Sequence, residues 1–253
     1  MPQASSASAE VIVVSDGDDP ATAAVAQHRG AAIVTLAGHT GANAARNAGV
    51  AAAASELVVF IDDDIFAPAG WLDAVLQGAR TLPDHGAFGG PITAALEGGG
   101  PTACGRESAP ITTLDLGPAD RDVELVWSAN MAVRRDTLEA VGRFDEALLG
   151  CGEEEDWLRR YRAMGGRVRY LAAAGVEHRR VGADATVRAL ARAAYGRGRA
   201  ARRYDIRRGE APARAAEVRT LAGCGWHIVR RRCANGVVLA AHSAGRLREA
   251  LSE

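Results

Sequence analysis

A regular alternation of short β-branched runs and alanine-rich stretches over the first eighty or so residues limits the folds open to this chain more than any other feature. Glu10 to Ser15 (EVIVVS), Ala31 to Leu36 and Glu56 to Ile61 (ELVVFI) are short apolar runs of the length of buried strands. The first stops at turn residues, Asp16-Gly17-Asp18-Asp19-Pro20, and the third runs straight into Asp62-Asp63-Asp64. Between and after them, Ala21 to Arg29, Gly41 to Ala54 and Trp71 to Thr81 read as helices, with Pro68 to Gly70 supplying the entry to the last. Strands alternating with helices at this spacing predict an α/β fold: a mostly parallel sheet sandwiched by helices. Ligands of such sheets bind beyond the carboxyl ends of the strands. Asp16 and the three aspartates stand there.

Beyond Ala87 the pattern loosens. Residues 97 to 122 are rich in Gly, Pro and Thr and read as an irregular excursion. Order returns with a strand over Leu125 to Val133, which holds Ser128-Ala129-Asn130, and a helix from Asp136 to Val141. The acidic run Glu153 to Asp156 precedes a helix, and Arg167 to Leu171 is a further strand. After Ala185 come two or three Arg/Ala-rich helices, interrupted near Gly209 to Pro212 and at Asn235-Gly236. The expected organisation is a disordered tail over 1–9, an α/β domain over 10–184 and a basic helical region over 185–253.

With 253 residues, 48% of them hydrophobic, the chain can build one sizeable core plus an appendage. There is no apolar run of the length that crosses a bilayer, and the first nine residues lack a basic and an apolar segment, so the expected location is cytoplasmic. Cys104, Cys151, Cys224 and Cys233 are widely spaced, which argues against a zinc site and a disulfide framework. All 30 basic residues are arginine, so mechanisms that require a lysine are excluded. The net charge of −1 hides an asymmetry. Up to Asp184 there are 15 Arg against 26 acids; from Ala185 onward there are 15 Arg against 5. An acidic front with clustered aspartates suggests a divalent cation. The basic remainder suggests an anionic neighbour such as the inner face of a membrane, where the protein would sit peripherally. Arg188, Arg192, Arg199, Arg202 and Arg203 recur at near-helical spacing and are either a solvated face or a lipid-docking one. Few aromatics accompany the arginines, which argues against nucleic acid.

Adjacent carboxylates repel, so Asp62 to Asp64 either shift their ionisation or bind a cation. An all-oxygen donor set suits Mg²⁺ or Mn²⁺, which keep waters and bridge to substrate phosphates. The alternative is a solvated acidic turn. A haloacid-dehalogenase-type phosphatase also places Asp-x-Asp after an apolar strand, but Phe66 stands where it wants Thr or Val, and the lysine it needs is absent.

Five motifs occur in order: VIVVSDGDD, GANAARNAG (Gly41 to Gly49), VVFIDDD, SANMAVRR (Ser128 to Arg135) and GCGEEEDWLRR (Gly150 to Arg160). This set resembles the family 2 glycosyltransferases of the GT-A fold over roughly residues 10 to 180. The resemblance implies a metal-dependent, inverting transfer of a sugar from a nucleoside-diphosphate sugar to a hydroxyl acceptor, a glycan or a lipid-linked molecule, in cell-surface glycan or glycolipid synthesis. It is compatible with a homodimer. By the resemblance, Asp16 matches the aspartate on the nucleobase edge, and Arg46 the arginine near the diphosphate. Asp62 and Asp63 match the acids near the ribose and the metal-bound water, Asp64 the direct metal ligand, and His178 a histidine that completes the metal site. Ser128 to Asn130 would line the sugar and acceptor pocket, with Asn130 among the donor-binding residues. The base that takes the acceptor proton aligns best with Glu154. A glutamate where the family has aspartate moves the carboxylate by roughly 1.5 Å, so Glu153 and Glu155 stay open. Acids in a first helical turn also favour the helix dipole without any catalysis. Family members open with a strand-helix unit for which only Met1 to Ala9 stand here. That departure predicts an unpaired sheet edge and keeps a catalytically degenerate sugar-nucleotide-binding or assembly protein as the alternative.

Overall fold

A computed structural model describes residues 2–99, 101 and 109–252. Cys104 and part of the Gly/Pro/Thr-rich excursion lie outside the described residues. The elements in chain order are α1 (Pro2–Ser6), β1 (Ile12–Ser15), α2 (Pro20–His28), β2 (Ala32–Thr35), α3 (Ala42–Ala52), β3 (Leu57–Ile61), β4 (Ile65–Phe66), α4 (Trp71–Thr81), β5 (Ala87–Gly89) and β6 (Ile92–Leu96). They continue as β7 (Arg121–Val123), β8 (Asn130–Arg134), α5 (Arg135–Val141), α6 (Glu153–Ala163), β9 (Val168–Tyr170), β10 (Val176–Arg180), α7 (Val187–Arg208), α8 (Arg214–Arg231) and α9 (Ala234–Ala250).

The chain divides into two compact units. The first is Met1–Thr93, Leu114–Leu149 and Glu153–Glu177; the second is Ala94–Thr113, Gly150–Gly152 and His178–Glu253. The chain passes between the units within β6 and within β10.

In the first unit local chemistry sets the element ends. Pro20 opens α2, where its missing N–H and fixed φ suit the first turn, and the Asp19 carboxylate accepts the N–H groups of Ala21 and Thr22. β1 pairs with β2 in parallel, from Ile12↔Ala32 to Ser15↔Thr35. The larger sheet has the order β3-β8-β5-β9-β7. Helices flank these strands as an α/β fold requires, but the strand directions differ from the expected mostly parallel arrangement. β3, β5 and β9 run one way, and β8 and β7 run against them. β8 arrives after a long excursion instead of a helical crossover, and only the crossover forces neighbours into parallel. Its register with β3, Leu57↔Arg134 to Ile61↔Asn130, sets the aspartates that follow β3 beside the turn that precedes β8.

That turn corrects the expected strand over Leu125 to Val133. The Asn130 N–H closes onto the Trp127 carbonyl at 2.9 Å, so β8 begins only at Asn130. Likewise Pro2–Ser6, expected in a disordered tail, form a helix. Gln3 anchors it by donating to the carbonyls of Ala67 and Pro68 and accepting from the Leu72 N–H. Two apolar clusters make the core of this unit. One gathers Phe60, Met131, Val133, Phe144, Trp157 and Leu158; the other gathers Trp71, Val75, Phe88, Ile92 and Leu171. Each large side chain buried this way contributes about 1.5–3 kcal/mol.

In the second unit Thr186 caps α7 through Ala189 N–H, and Gly209, at φ 70°, ends it in the left-handed region. The expected break at Asn235-Gly236 falls instead at Arg232 and Cys233, and Asn235 lies buried in the first turn of α9. The apolar cluster is small: Ile111, Leu190, Ala194 and Val238. α7 and α9 approach backbone to backbone, since a Cβ at Gly198 would strike the His242 carbonyl and one at Gly245 the Tyr195 carbonyl. Arg202 and Glu217, each 3% exposed, form a buried pair that Arg246 and Asp205 extend. Arg199 and Arg203 both engage Glu249. Three of the five arginines expected to form a docking stripe on α7 are therefore spent on internal pairs. Among the described residues no helix is long and apolar enough to cross a membrane.

Candidate active site

The acidic helix α6 turns its neighbouring carboxylates in different directions. Trp157, Leu158 and Tyr161 are its buried residues. Two of them join Phe144 in an aromatic row, with Phe144 against Trp157 at 5.4 Å and Trp157 against Tyr161 at 5.9 Å between ring centroids. Glu154 precedes these three residues by three, four and seven positions, so it shares their inward face. The neighbours point elsewhere: Glu155 lies 4.0 Å from Arg159, and Asp156 pairs with Arg160 at 3.1 Å.

Glu154 meets the turn before β8. Its Oε1 accepts both the N–H and the hydroxyl of Ser128, each at 3.3 Å. The same Ser128 Oγ accepts from the Arg46 guanidinium at 2.7 Å. Arg46 lies on α3, where its other nitrogen donates to Asn43 Oδ1 at 2.9 Å. Asn43 is fully buried and is itself pinned by donating to the Asp145 carbonyl at 2.7 Å. Arg46, Ser128 and Glu154, from three separate elements, are thus joined through one hydroxyl. Both of these partners of Arg46 are neutral, so neither offsets the guanidinium charge.

Asp16 is held by the loop that leads into α3. Oδ1 accepts from the Thr40 N–H at 2.7 Å and the Thr40 hydroxyl at 2.9 Å, and Oδ2 from the Gly41 N–H at 2.9 Å. The Thr40 N–H above all keeps its carboxyl below the ordinary value, and Asp16 stays ionised well into acid. Gly17 is fixed by shape: φ is 123°, and a Cβ would lie 2.9 Å from the His39 ring.

Asp62 and Asp63 are exposed and Asp64 is half-buried, in a tight turn closed by the Ile65 N–H on the Asp62 carbonyl at 3.2 Å. Among the described residues no group of three or more His, Cys, Asp or Glu side chains is gathered to hold a metal ion. The donor chemistry of the turn is nevertheless all oxygen. Mg²⁺ is commonly held by one or two carboxylates with the remaining positions filled by water and phosphate, and this turn fits that pattern. His178 belongs to the second unit, 4% exposed, with Nδ1 3.1 Å from the Thr112 carbonyl.

Asn130, expected to bind the donor, is buried at 2% exposure. Its Oδ1 accepts from the Trp71 indole at 3.0 Å, and its amide donates to the carbonyls of Ala174 at 2.8 Å and Pro91 at 3.2 Å. It pins α4 and two loops to the start of β8, and its amide is already committed. Asn43 was missing from the expected set, although its place three residues before Arg46 in GANAARNAG was the available signal.

The model for glycosyl transferase family 2 matches residues 4–142, more than half of the chain, and the chain belongs to that family. It is 35% identical over 144 residues to the pre-mycofactocin glycosyltransferases of two Mycobacterium tuberculosis strains, CDC 1551 / Oshkosh and H37Rv. That match takes in 54% of this chain, which spans 30% of the length of those relatives. In structure it is similar to GalNAc-T7 as crystallised with UDP, GalNAc and Mn²⁺. The TM-score is 0.52 at 13% identity, over 73% of this chain and 41% of that one, a likeness of the GT-A fold.

Proposed function

We propose that the chain carries the catalytic site of an inverting glycosyltransferase, in which Glu154 takes the acceptor proton and Arg46 meets the donor diphosphate. The observation that carries this reading is the Arg46–Ser128–Glu154 chain. Transfer builds negative charge on the leaving diphosphate and releases a proton from the attacking hydroxyl. A site must handle both at once.

The acceptor oxygen forms its bond to the anomeric carbon as the bond from that carbon to the β-phosphate oxygen breaks. The electron pair leaves with the nucleoside diphosphate, and the proton passes to Glu154. Displacement from the face opposite the nucleotide inverts the anomeric configuration. Ser128 holds Oε1, which leaves Oε2 to receive the proton. Arg46 is preorganised by Asn43 and Ser128, so it stabilises the leaving charge without reorganising. Asp16 Oδ2 takes one N–H from the chain and keeps a lone pair for the edge of a nucleobase. Asp62 and Asp63 are assigned to the ribose and to water around the cation, and Asp64 to the cation itself. Bound with the donor, Mg²⁺ or Mn²⁺ would supply Lewis-acid stabilisation of the same diphosphate. His178 has no part in this assignment.

UDP-sugars with Mn²⁺ are the first donors to test, because GalNAc-T7 was crystallised with UDP, GalNAc and Mn²⁺, and pre-mycofactocin stands beside glycan and lipid-linked acceptors. Thermal shift with Mn²⁺ and a panel of sugar nucleotides is the experiment, because a ligand of the native state raises its apparent Tm. A donor that stabilises the chain only with Mn²⁺, loses the effect in Asp64→Ala, and yields a product of inverted configuration supports the reading. Stabilisation that ignores both Mn²⁺ and Asp64 contradicts the metal assignment. A product of retained configuration contradicts the mechanism.

A further inference from the structure

Helix α8 carries a feature that transfer chemistry does not use. Its inward side is Glu217, Leu221, Cys224 and Ile228, at helical spacing; Glu217 is buried and Cys224 lies 3.5 Å from Ser243 Oγ. A different side of the helix, roughly 100° or more further round, is exposed. Val218 is 52% exposed, Trp226 65% and Val229 75%, with exposed Ala222 between them. At 100° per residue these four fall within one narrow stripe. Arg214 borders it on one side, and Arg219 and Arg230 on the other; Arg230 also lies over the Trp226 ring at 6.0 Å. The helix has one acidic residue, Glu217, and Arg202 and Arg246 consume its charge internally. The open face is therefore an apolar stripe with a purely cationic border.

We infer that this face of α8 docks on the surface of an anionic phospholipid bilayer, with Trp226 at the level of the headgroups and Val229 against the acyl chains. The charge pattern chooses the occupant. An isologous contact with a second copy would set arginine against arginine. A nucleic acid would leave the aliphatic half of the stripe unused. A lipid interface satisfies both halves: acyl chains take the valines, the amphipathic indole sits at the headgroups, and the guanidinium groups meet phosphates. The inference does not depend on the transferase reading. It also moves the docking surface from α7, whose Arg199, Arg202 and Arg203 are already paired.

Co-sedimentation of the whole chain with vesicles tests it, comparing pure phosphatidylcholine with an equal mixture of phosphatidylcholine and phosphatidylglycerol. The chain should bind the mixture, leave pure phosphatidylcholine unbound, and dissociate at high salt. The double variants Trp226→Ser/Val229→Ser and Arg219→Gln/Arg230→Gln should each partition roughly tenfold more weakly or worse. All these side chains are exposed, and circular dichroism with thermal unfolding would verify that the variants stay folded. Of the four tryptophans, Trp71 and Trp157 are buried and Trp127 is half-buried in the first unit, so the blue shift of emission on the anionic vesicles that Trp226→Phe removes, while binding persists, should report Trp226. Failure to bind anionic vesicles, equal binding by the double variants, or a dimer that Trp226→Ser abolishes in place of vesicle binding would each overturn the inference.

Discussion

The two units use the same residue types for opposite purposes. In the first, two apolar clusters supply cohesion, and polar groups such as Arg46, Ser128 and Glu154 are held ready at the edge of the sheet. In the second the apolar cluster is small, and charge does the holding: Arg202, Glu217, Arg246 and Asp205 tie three helices together around two glycine contacts. Removing Arg46 or Glu154 from the first unit should therefore cost activity, and removing a member of the buried charge network from the second should cost stability.

The sharpest way to break this contrast is Glu217→Ala, which strands Arg202 in a buried position. Loss of one partner from such a pair costs about 3–5 kcal/mol. Amide exchange should accelerate across α7, α8 and α9 while β8 keeps its protection; slowed or unchanged exchange in the helices would refute the cohesive role. Next in size, Arg46→Ala should lower kcat about 100- to 1,000-fold with little change in Tm, as read by steady-state kinetics beside calorimetry. A smaller effect is expected from Gly198→Ala or Gly245→Ala. Each added methyl meets a backbone carbonyl, and such overpacking costs about 1–3 kcal/mol, measurable by urea denaturation.

The smallest effect concerns acid. Asp122 accepts from Arg169 and Arg167 and contacts His85, and the Arg169 guanidinium first among them holds its carboxyl far below the ordinary 3.8. Because the folded pKa is depressed, the stabilisation is complete above the unfolded value and is lost as pH falls toward the folded one. Asp122→Asn should therefore lower Tm at neutral pH and flatten the loss of Tm below about pH 4. An unchanged acid limb would show that the pair contributes nothing.

Much of the first unit was legible because its signals are local. The limits expected for α4 agree with the helix formed, and the runs leading to Asp16 and Asp62 are strands whose ends set the site. What escaped was decided by partners distant in sequence. β5 is three residues between Gly86 and Gly90, too short for periodicity to register, and β10 reads Val-Glu-His-Arg-Arg, a charged string that pairing makes a strand. Asn130 looked like a ligand group because it is polar and follows Ser128, yet the Trp71 indole claims its carbonyl oxygen. Glu154 already aligns best of the four consecutive acids; its inward orientation, which the sequence leaves open, follows from the aromatic row on α6. In the second unit the spacing of Arg199, Arg202 and Arg203 suggested an outer stripe; Glu217 and Glu249, distant in sequence, turn it inward.

A kinetic comparison of Glu153→Gln, Glu154→Gln and Glu155→Gln, under saturating donor and Mn²⁺, bears most directly on the Arg46–Ser128–Glu154 chain. Loss of a general base costs about 100- to 10,000-fold, and that loss is expected in Glu154→Gln alone, with folding and nucleotide binding intact. Full turnover in Glu154→Gln, or an equal loss in either neighbour, would contradict the account.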